Sequence, residues 1–127
     1  MDLKKHLAEL AYYLQENGVG VDPIPKVKLR GDSQDTFGPT AYFDPADTTI
    51  VLYVGGRHPK DILRSFAHEM IHADQHAKGK LKPSAVEGAD DSNYAQNDSH
   101  LRKMEQEAYL RGNMLFRDWT DTRKKQV

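Results

Sequence analysis

Apolar residues recur at helical spacing at the start of the chain. Leu3, Leu7, Leu10 and Leu14 are three or four positions apart, with Ala11 on the same side. The pair Asn17-Gly18 that follows is a common helix end. This pattern predicts an amphipathic helix over residues 2–17.

Short stretches with a strand-like pattern come next. Val27 and Leu29 alternate with basic residues after two prolines, a pattern that allows only a short edge strand. Residues 40–43 and 48–54 are rich in β-branched and aromatic residues, and the segment Asp44–Asp47 between them has turn chemistry. These two stretches predict a β-hairpin.

The strongest apolar pattern lies between Pro59, which favours a first helical turn, and Gly79, which favours a helix end. The apolar face of this predicted helix consists of Ile62, Leu63, Phe66, Ala67, Met70, Ile71 and Ala73. Residues 80–99 lack periodicity and predict a loop, and loops of this length are often functional. A last helix is expected at about residues 99–119, capped by Asp98 or Ser99. The whole pattern predicts an α+β fold with a small antiparallel or mixed sheet and three helices.

Length, charge and cysteine content limit the number of domains, the electrostatic partners and the types of metal ligand. A chain of 127 residues fits one domain, and a net charge of −1 gives no general attraction to nucleic acid or to anionic membranes. There are no cysteines, so disulfides and cysteine-ligated zinc are excluded, and any metal ligands must be His, Asp or Glu. The basic run Arg123-Lys124-Lys125 is expected to be a solvated tail.

The N-terminus is polar and is followed by no apolar signal-peptide core. No apolar stretch approaches the length needed to span a bilayer. We therefore expect a cytoplasmic protein without a signal peptide or a transmembrane segment.

The most informative motif is H-E-x-x-H at residues 68–72, within the predicted apolar helix. Residues four apart on a helix stack one turn above each other, so His68 and His72 can reach one cation. Glu69 lies beside the first ligand, from where it can take a proton from a water that zinc has activated. A buried helix with two histidines and a glutamate needs polar partners, and a metal ion supplies them.

A catalytic zinc site usually has three protein ligands and one open position. We compared five candidates for the third ligand, namely His76, Glu87, His100, Glu105 and Glu107. His76 falls at the helix end, where a surface position is the simpler interpretation, and Glu87 lies in a loop without a local pattern.

Helical phase favours one of these candidates. Glu105 falls on the apolar stripe of the last helix with the small residues Ala108 and Gly112 close by, a setting that suits a metal ligand. Glu107 falls away from the main stripe, and His100 opens the same helix. Glu105 is therefore the preferred third ligand, with Glu107 and His100 as alternatives.

With these residues the chain resembles the gluzincins, small zinc peptidases of the minigluzincin type. The resemblance covers about residues 40–119, with the hairpin before the H-E-x-x-H helix and the segment Glu105–Ala108 on the next helix. It implies a zincin fold over one domain, residues 1–127, with His68, His72 and Glu105 as zinc ligands and Glu69 as general base. It also implies an edge strand that binds extended substrate. Tyr109 departs from the pattern, because many gluzincins have an aspartate there that orients the first ligand histidine, which is His68 here.

A second resemblance is to SprT-like proteases, which act on DNA-associated proteins and take a histidine as third ligand. His100 would then be that ligand, but it stands in Ser99-His100-Leu101 rather than in Gly-His-Gly. In its small size the chain also resembles zincin-like proteins of bacteriophages. A phage origin would imply the host cytoplasm or the virion as its location.

The sequence thus predicts a zinc metallopeptidase that hydrolyses peptide bonds in a peptide or protein substrate. Nucleic acid and membrane are not expected partners. The alternative from another class is a non-catalytic metal-binding module in a larger assembly. Tyr94, His100 and Tyr109 are candidate donors to the developing negative charge in the transition state.

Overall fold

A computed structural model describes residues 2–31, 40–79 and 99–125. The predicted α+β arrangement is confirmed, and the described residues form three helices and a three-stranded sheet. The predicted loop at residues 80–99 lies outside the described residues except for Ser99, and so does the predicted cap Asp98. In chain order the elements are α1 (Leu3–Glu16), β1 (Lys26–Arg30), β2 (Ala41–Asp44), β3 (Thr49–Tyr53), α2 (Pro59–Ala77) and α3 (Ser99–Lys125).

The sheet has the strand order β1-β3-β2, so β1 and β2 are its edges within the part of the chain that the structure describes. The predicted hairpin is confirmed, because β2 pairs with β3 in antiparallel register. Its turn is held by a hydrogen bond that the backbone N–H of Ala46 donates to Asp44 Oδ1 over 3.0 Å. β1 is the predicted edge strand and runs parallel to β3, which makes the sheet mixed.

α1 begins and ends where the sequence predicts. Asp2 caps its N-terminus by accepting a hydrogen bond from the backbone N–H of Lys5. Asn17 is the C-terminal cap, and Gly18 follows with a φ of 98°, a conformation that glycine adopts without strain. Leu7, Leu10 and Leu14 are buried in the core, so the core extends beyond the range covered by the family resemblance.

α2 is the central element of the fold and contacts both other helices and the sheet. His58 caps its first turn, and Pro59 occupies the first helical position, as predicted. A buried ion pair joins the end of α2 to α3, with 2.8 Å between Asp74 Oδ2 and Arg111 Nη1. Arg111 also donates to the backbone oxygen of Gly18, which ties the loop after α1 to both helices.

α3 is longer than predicted, and the expectation of a solvated basic tail is wrong for Arg123. The helix runs to Lys125 because no proline or glycine interrupts it after Gly112 and because its last turns pack against α1. The guanidinium of Arg123 pairs with Glu9 and lies 4.8 Å from the ring centroid of Trp119. None of the described helices is both long enough and apolar enough to cross a membrane.

Candidate metal centre

Three potential metal ligands meet between α2 and α3. His68, His72 and Glu105 each direct one ligand atom to a common point, and these atoms all lie within 4.8 Å of one another. We call these three residues the candidate metal group. Among the residues that the structure describes, this is the only cluster of at least three His, Cys, Asp or Glu side chains with such spacing.

The distances in the candidate metal group suit a tetrahedral ion. Zinc lies about 2.0–2.1 Å from nitrogen and oxygen ligands, which places two tetrahedral ligands about 3.3 Å apart. The two oxygens of Glu105 each contact one ring at a distance close to that value, Oε1 at 3.0 Å from His72 Nε2 and Oε2 at 3.6 Å from His68 Nε2. The two imidazole rings converge, with centroids 4.9 Å apart. Two imidazoles and one carboxylate are also a donor set that zinc prefers.

Local sequence explains why these side chains meet. The four-residue spacing of His68 and His72 puts both on the face of α2 that meets α3. Gly112 lets α3 come close there, because a Cβ at this position would lie 3.1 Å from the Cα of His68. Ala108 is fully buried at the same contact. Glu105 lies one turn before Ala108 and therefore faces the two histidines, as the helical phase indicates.

One side of the group is open to solvent. Glu105 has 51% of its side chain exposed and His68 has 26%, whereas His72 has only 9%. An ion held here would have two ligands at the surface and one in the interior. Solvent can therefore reach this side of the group, as an open fourth ligand position requires.

Glu69 lies beside the group and does not belong to it. Its side chain is almost fully buried, and burial raises the pKa of its carboxyl group, an effect that the nearby His72 and His68 partly offset. The carboxylate accepts a hydrogen bond from the backbone N–H of Phe43 on the edge strand β2. A glutamate with a raised pKa beside the candidate metal group is placed to exchange protons with a molecule bound there.

His72 and Glu105 shift each other's protonation. Burial is the largest single influence on His72 and lowers its pKa. The hydrogen bond to Glu105, the charges of Glu69 and Glu105 and the hydrogen bond to Gln75 together outweigh it, so the pKa of His72 is raised. The close contacts with His68 and His72 hold the pKa of Glu105 well below its ordinary value. The carboxylate of Glu105 is therefore ionised and available as a ligand.

Sequence reasoning missed the polar partners of His72. Its Nδ1 lies 2.9 Å from Oε1 of Gln75, a residue that is fully buried. The Gln75 amide nitrogen donates to the backbone oxygen of Met104 and to Oε1 of Glu107, each over 2.9 Å. Glu107, considered above as a ligand, thus faces Gln75 instead of the candidate metal group. The available signal was a glutamine three residues after a ligand histidine on a buried helix face.

The other residues that the sequence analysis considered as third ligand or as transition-state donor are not part of the candidate metal group. His76 is half-buried rather than at the surface, with its ring 5.7 Å from that of Phe43, and it is not part of the candidate metal group. His100 is exposed at the start of α3 and is also outside the group. Tyr109 has an exposed fraction of 63%. Glu87 and Tyr94 lie outside the described residues.

Searches with this chain against protein-family models, curated proteins and solved structures found no match. The functional interpretation therefore depends on the geometry and chemistry of the candidate metal group and its neighbours.

Proposed function

We propose that the protein is a zinc-dependent metallopeptidase. The observation that carries this proposal is the convergence of two imidazole nitrogens and one carboxylate beside the buried Glu69. A structural zinc site needs four closed ligands and no neighbouring base, whereas this group offers three ligands, an open side and a carboxylate that is not a ligand. These features favour catalysis over a purely structural role.

Each residue has a distinct role in the proposed reaction. His68, His72 and Glu105 would hold the ion, and zinc, when bound, lowers the pKa of water toward 7 and polarises a carbonyl oxygen. Glu69 takes a proton from the attacking water, since its raised pKa makes it a better base than an ordinary glutamate. As the C–N bond of the substrate breaks, Glu69 gives that proton to the leaving nitrogen.

The edge strand β2 supports a peptide as substrate. The backbone N–H of Tyr53 donates to the oxygen of Thr40, just before β2. By the alternation of an antiparallel pair, the backbone N–H and C=O groups of residues 40 and 42 point toward β3. The polar backbone groups of Ala41 and Phe43 then point away from the sheet. Because Glu69 already accepts the N–H of Phe43, an extended peptide added along this edge would pair with the backbone groups of Ala41 and with the oxygen of Phe43, which would place it next to the proposed base.

The test is a comparison of wild type with Glu69→Gln, using zinc content and digestion of casein or a peptide library. Glu69→Gln keeps the shape of the side chain but cannot accept the proton. We expect wild type to bind one zinc ion and to cleave, with activity lost on chelation. Glu69→Gln should keep the zinc and lose at least about 100-fold in rate, in line with a lost general base. Zinc binding without cleavage by wild type would instead indicate a non-catalytic metal-binding module.

A further inference from the structure

The Gln75 amide connects the two helices that carry the candidate metal group. Gln75 is on α2, three residues after His72, and both of its amide donors go to α3, to the Met104 oxygen and Glu107 Oε1. Its oxygen faces His72 Nδ1 at 2.9 Å. A fully buried amide with all of these partners is held in one position and one orientation.

These contacts decide which atom of Gln75 faces His72. The Met104 carbonyl and the Glu107 carboxylate are both acceptors, so the NH₂ group of Gln75 must point toward them. The amide oxygen is then the atom that meets His72. Because an oxygen can only accept, Nδ1 of His72 must carry a hydrogen. In the neutral imidazole the lone pair is consequently on Nε2, the atom that faces Glu105.

We infer that Gln75 is a positioning residue that fixes the tautomer and ring orientation of His72 for metal binding. This inference rests on the metal site proposed above and deepens it. Gln75 acts on His72 from the same helix and is itself held in place by its hydrogen bonds to α3. Metal-binding histidines generally donate their second N–H to such a partner, and loss of that partner typically weakens binding 10- to 100-fold.

The first test is zinc affinity by competition with a chromophoric chelator. Gln75→Met keeps the length of the side chain and removes the amide. Gln15→Met is a matched control, because the Gln15 amide also donates to a backbone oxygen, that of Val21 over 2.7 Å, away from the site. We expect Gln75→Met to bind zinc roughly 10- to 100-fold more weakly, and Gln15→Met to bind as wild type does. Equal affinity in Gln75→Met, or an equal loss in Gln15→Met, would overturn the inference.

The second test needs no metal. In metal-free Glu105→Ala the competing acceptor at Nε2 is gone, so NMR of the His72 ring nitrogens at a pH where the ring is neutral reports the influence of Gln75 alone. We expect the proton on Nδ1 in Glu105→Ala, and loss of that preference when Gln75→Met is added. A proton on Nε2 in Glu105→Ala itself would refute the role of Gln75. If wild type binds no zinc at all, the proposed function fails, whereas this measurement still decides on Gln75.

Discussion

Gly112 and His68 are in direct backbone contact: a Cβ added to Gly112 would lie 3.1 Å from the Cα and 3.2 Å from the nitrogen of His68. α3 therefore touches α2 at the first histidine of the candidate metal group. Glu105 lies two turns earlier on α3, so this contact helps to set how far its carboxylate is from the two imidazoles. The packing of the helices and the geometry of the site depend on the same glycine.

Gly112→Ala should weaken both packing and metal binding. Alanine is about 1 kcal/mol better than glycine within a helix, but overpacking against backbone that cannot yield costs roughly 1–3 kcal/mol. We expect a net loss of about 1 kcal/mol, seen as a melting temperature lower by about 4 °C. Zinc affinity should fall as well, because α3 is pushed away from His68.

Gly31→Ala is the control for this variant, since nothing lies within 4 Å of a Cβ at that position. Its stability and zinc affinity should match those of wild type. Unchanged zinc affinity in Gly112→Ala would show that the helix contact does not set the position of Glu105.

His72→Ala and His76→Ala separate a ligand from its neighbour one turn later. Because zinc binds the folded protein and not the unfolded one, it raises the melting temperature of the protein. We expect this rise in wild type and in His76→Ala, whose Nδ1 has no hydrogen-bond partner, and no rise in His72→Ala. Thermal unfolding with and without zinc measures the difference. A zinc-dependent rise in His72→Ala would contradict the assignment of His72 as a ligand.

As the pH rises, the stability of the metal-free protein should fall and its affinity for zinc should increase. The raised pKa of His72 means that its stabilising contribution is complete below the ordinary value of 6.5 and is lost as the pH rises through the folded value. The lowered pKa of Glu105 gives a contribution present above its ordinary 4.5 and lost only in stronger acid. Zinc needs a deprotonated His72, so its affinity should rise as the pH increases from the ordinary value of 6.5 through the raised folded value.

Chemical denaturation of the metal-free protein and zinc competition over this range test the prediction. Glu105→Gln is the reference, because it removes the charge that raises the pKa of His72. The stability difference between wild type and this variant should shrink as the pH rises. Zinc affinity that stays flat over the same range would be the contrary result.

Arg111→Met should destabilise the protein without touching the candidate metal group. It removes a charged donor 2.8 Å from Asp74, whose side chain is 1% exposed. Lys78 and the backbone N–H of Gly20 still contact Asp74, so we expect a loss of about 2 kcal/mol, as for one hydrogen bond to a buried charge. Urea unfolding measures this loss.

Arg64→Met is the comparison for Arg111→Met. Its partner Asp61 is about half exposed, and such surface pairs contribute less than about 1 kcal/mol. Similar losses of stability in the two variants would mean that the pair of Arg111 with Asp74 stabilises the fold no more than an exposed pair does.

Local patterns were sufficient for the features that depend on local spacing. The leucines of α1, the boundaries of α2 at Pro59 and Ala77, and the hairpin around its turn all follow from periodicity and turn residues. The approach of Glu105 to the histidines could also be anticipated, because helical phase and the small residue Gly112 point to one face of α3.

Features that depend on distant contacts could not be read from the sequence. The parallel pairing of β1 with β3, the end of α3 at Lys125 and the half-buried His76 each depend on elements far away in the chain. The partners of His72 are a case of the same kind. Gln75 is near it in sequence, but its orientation is set by the Met104 oxygen and by Glu107 across the helix interface.

The most direct test is a crystal structure of the protein grown with zinc, with anomalous diffraction recorded at the zinc absorption edge. We predict one strong peak bonded to Nε2 of His68, Nε2 of His72 and the carboxylate of Glu105, with solvent at the fourth position. A peak at another place, or a fourth protein ligand that closes the coordination shell, would contradict the account.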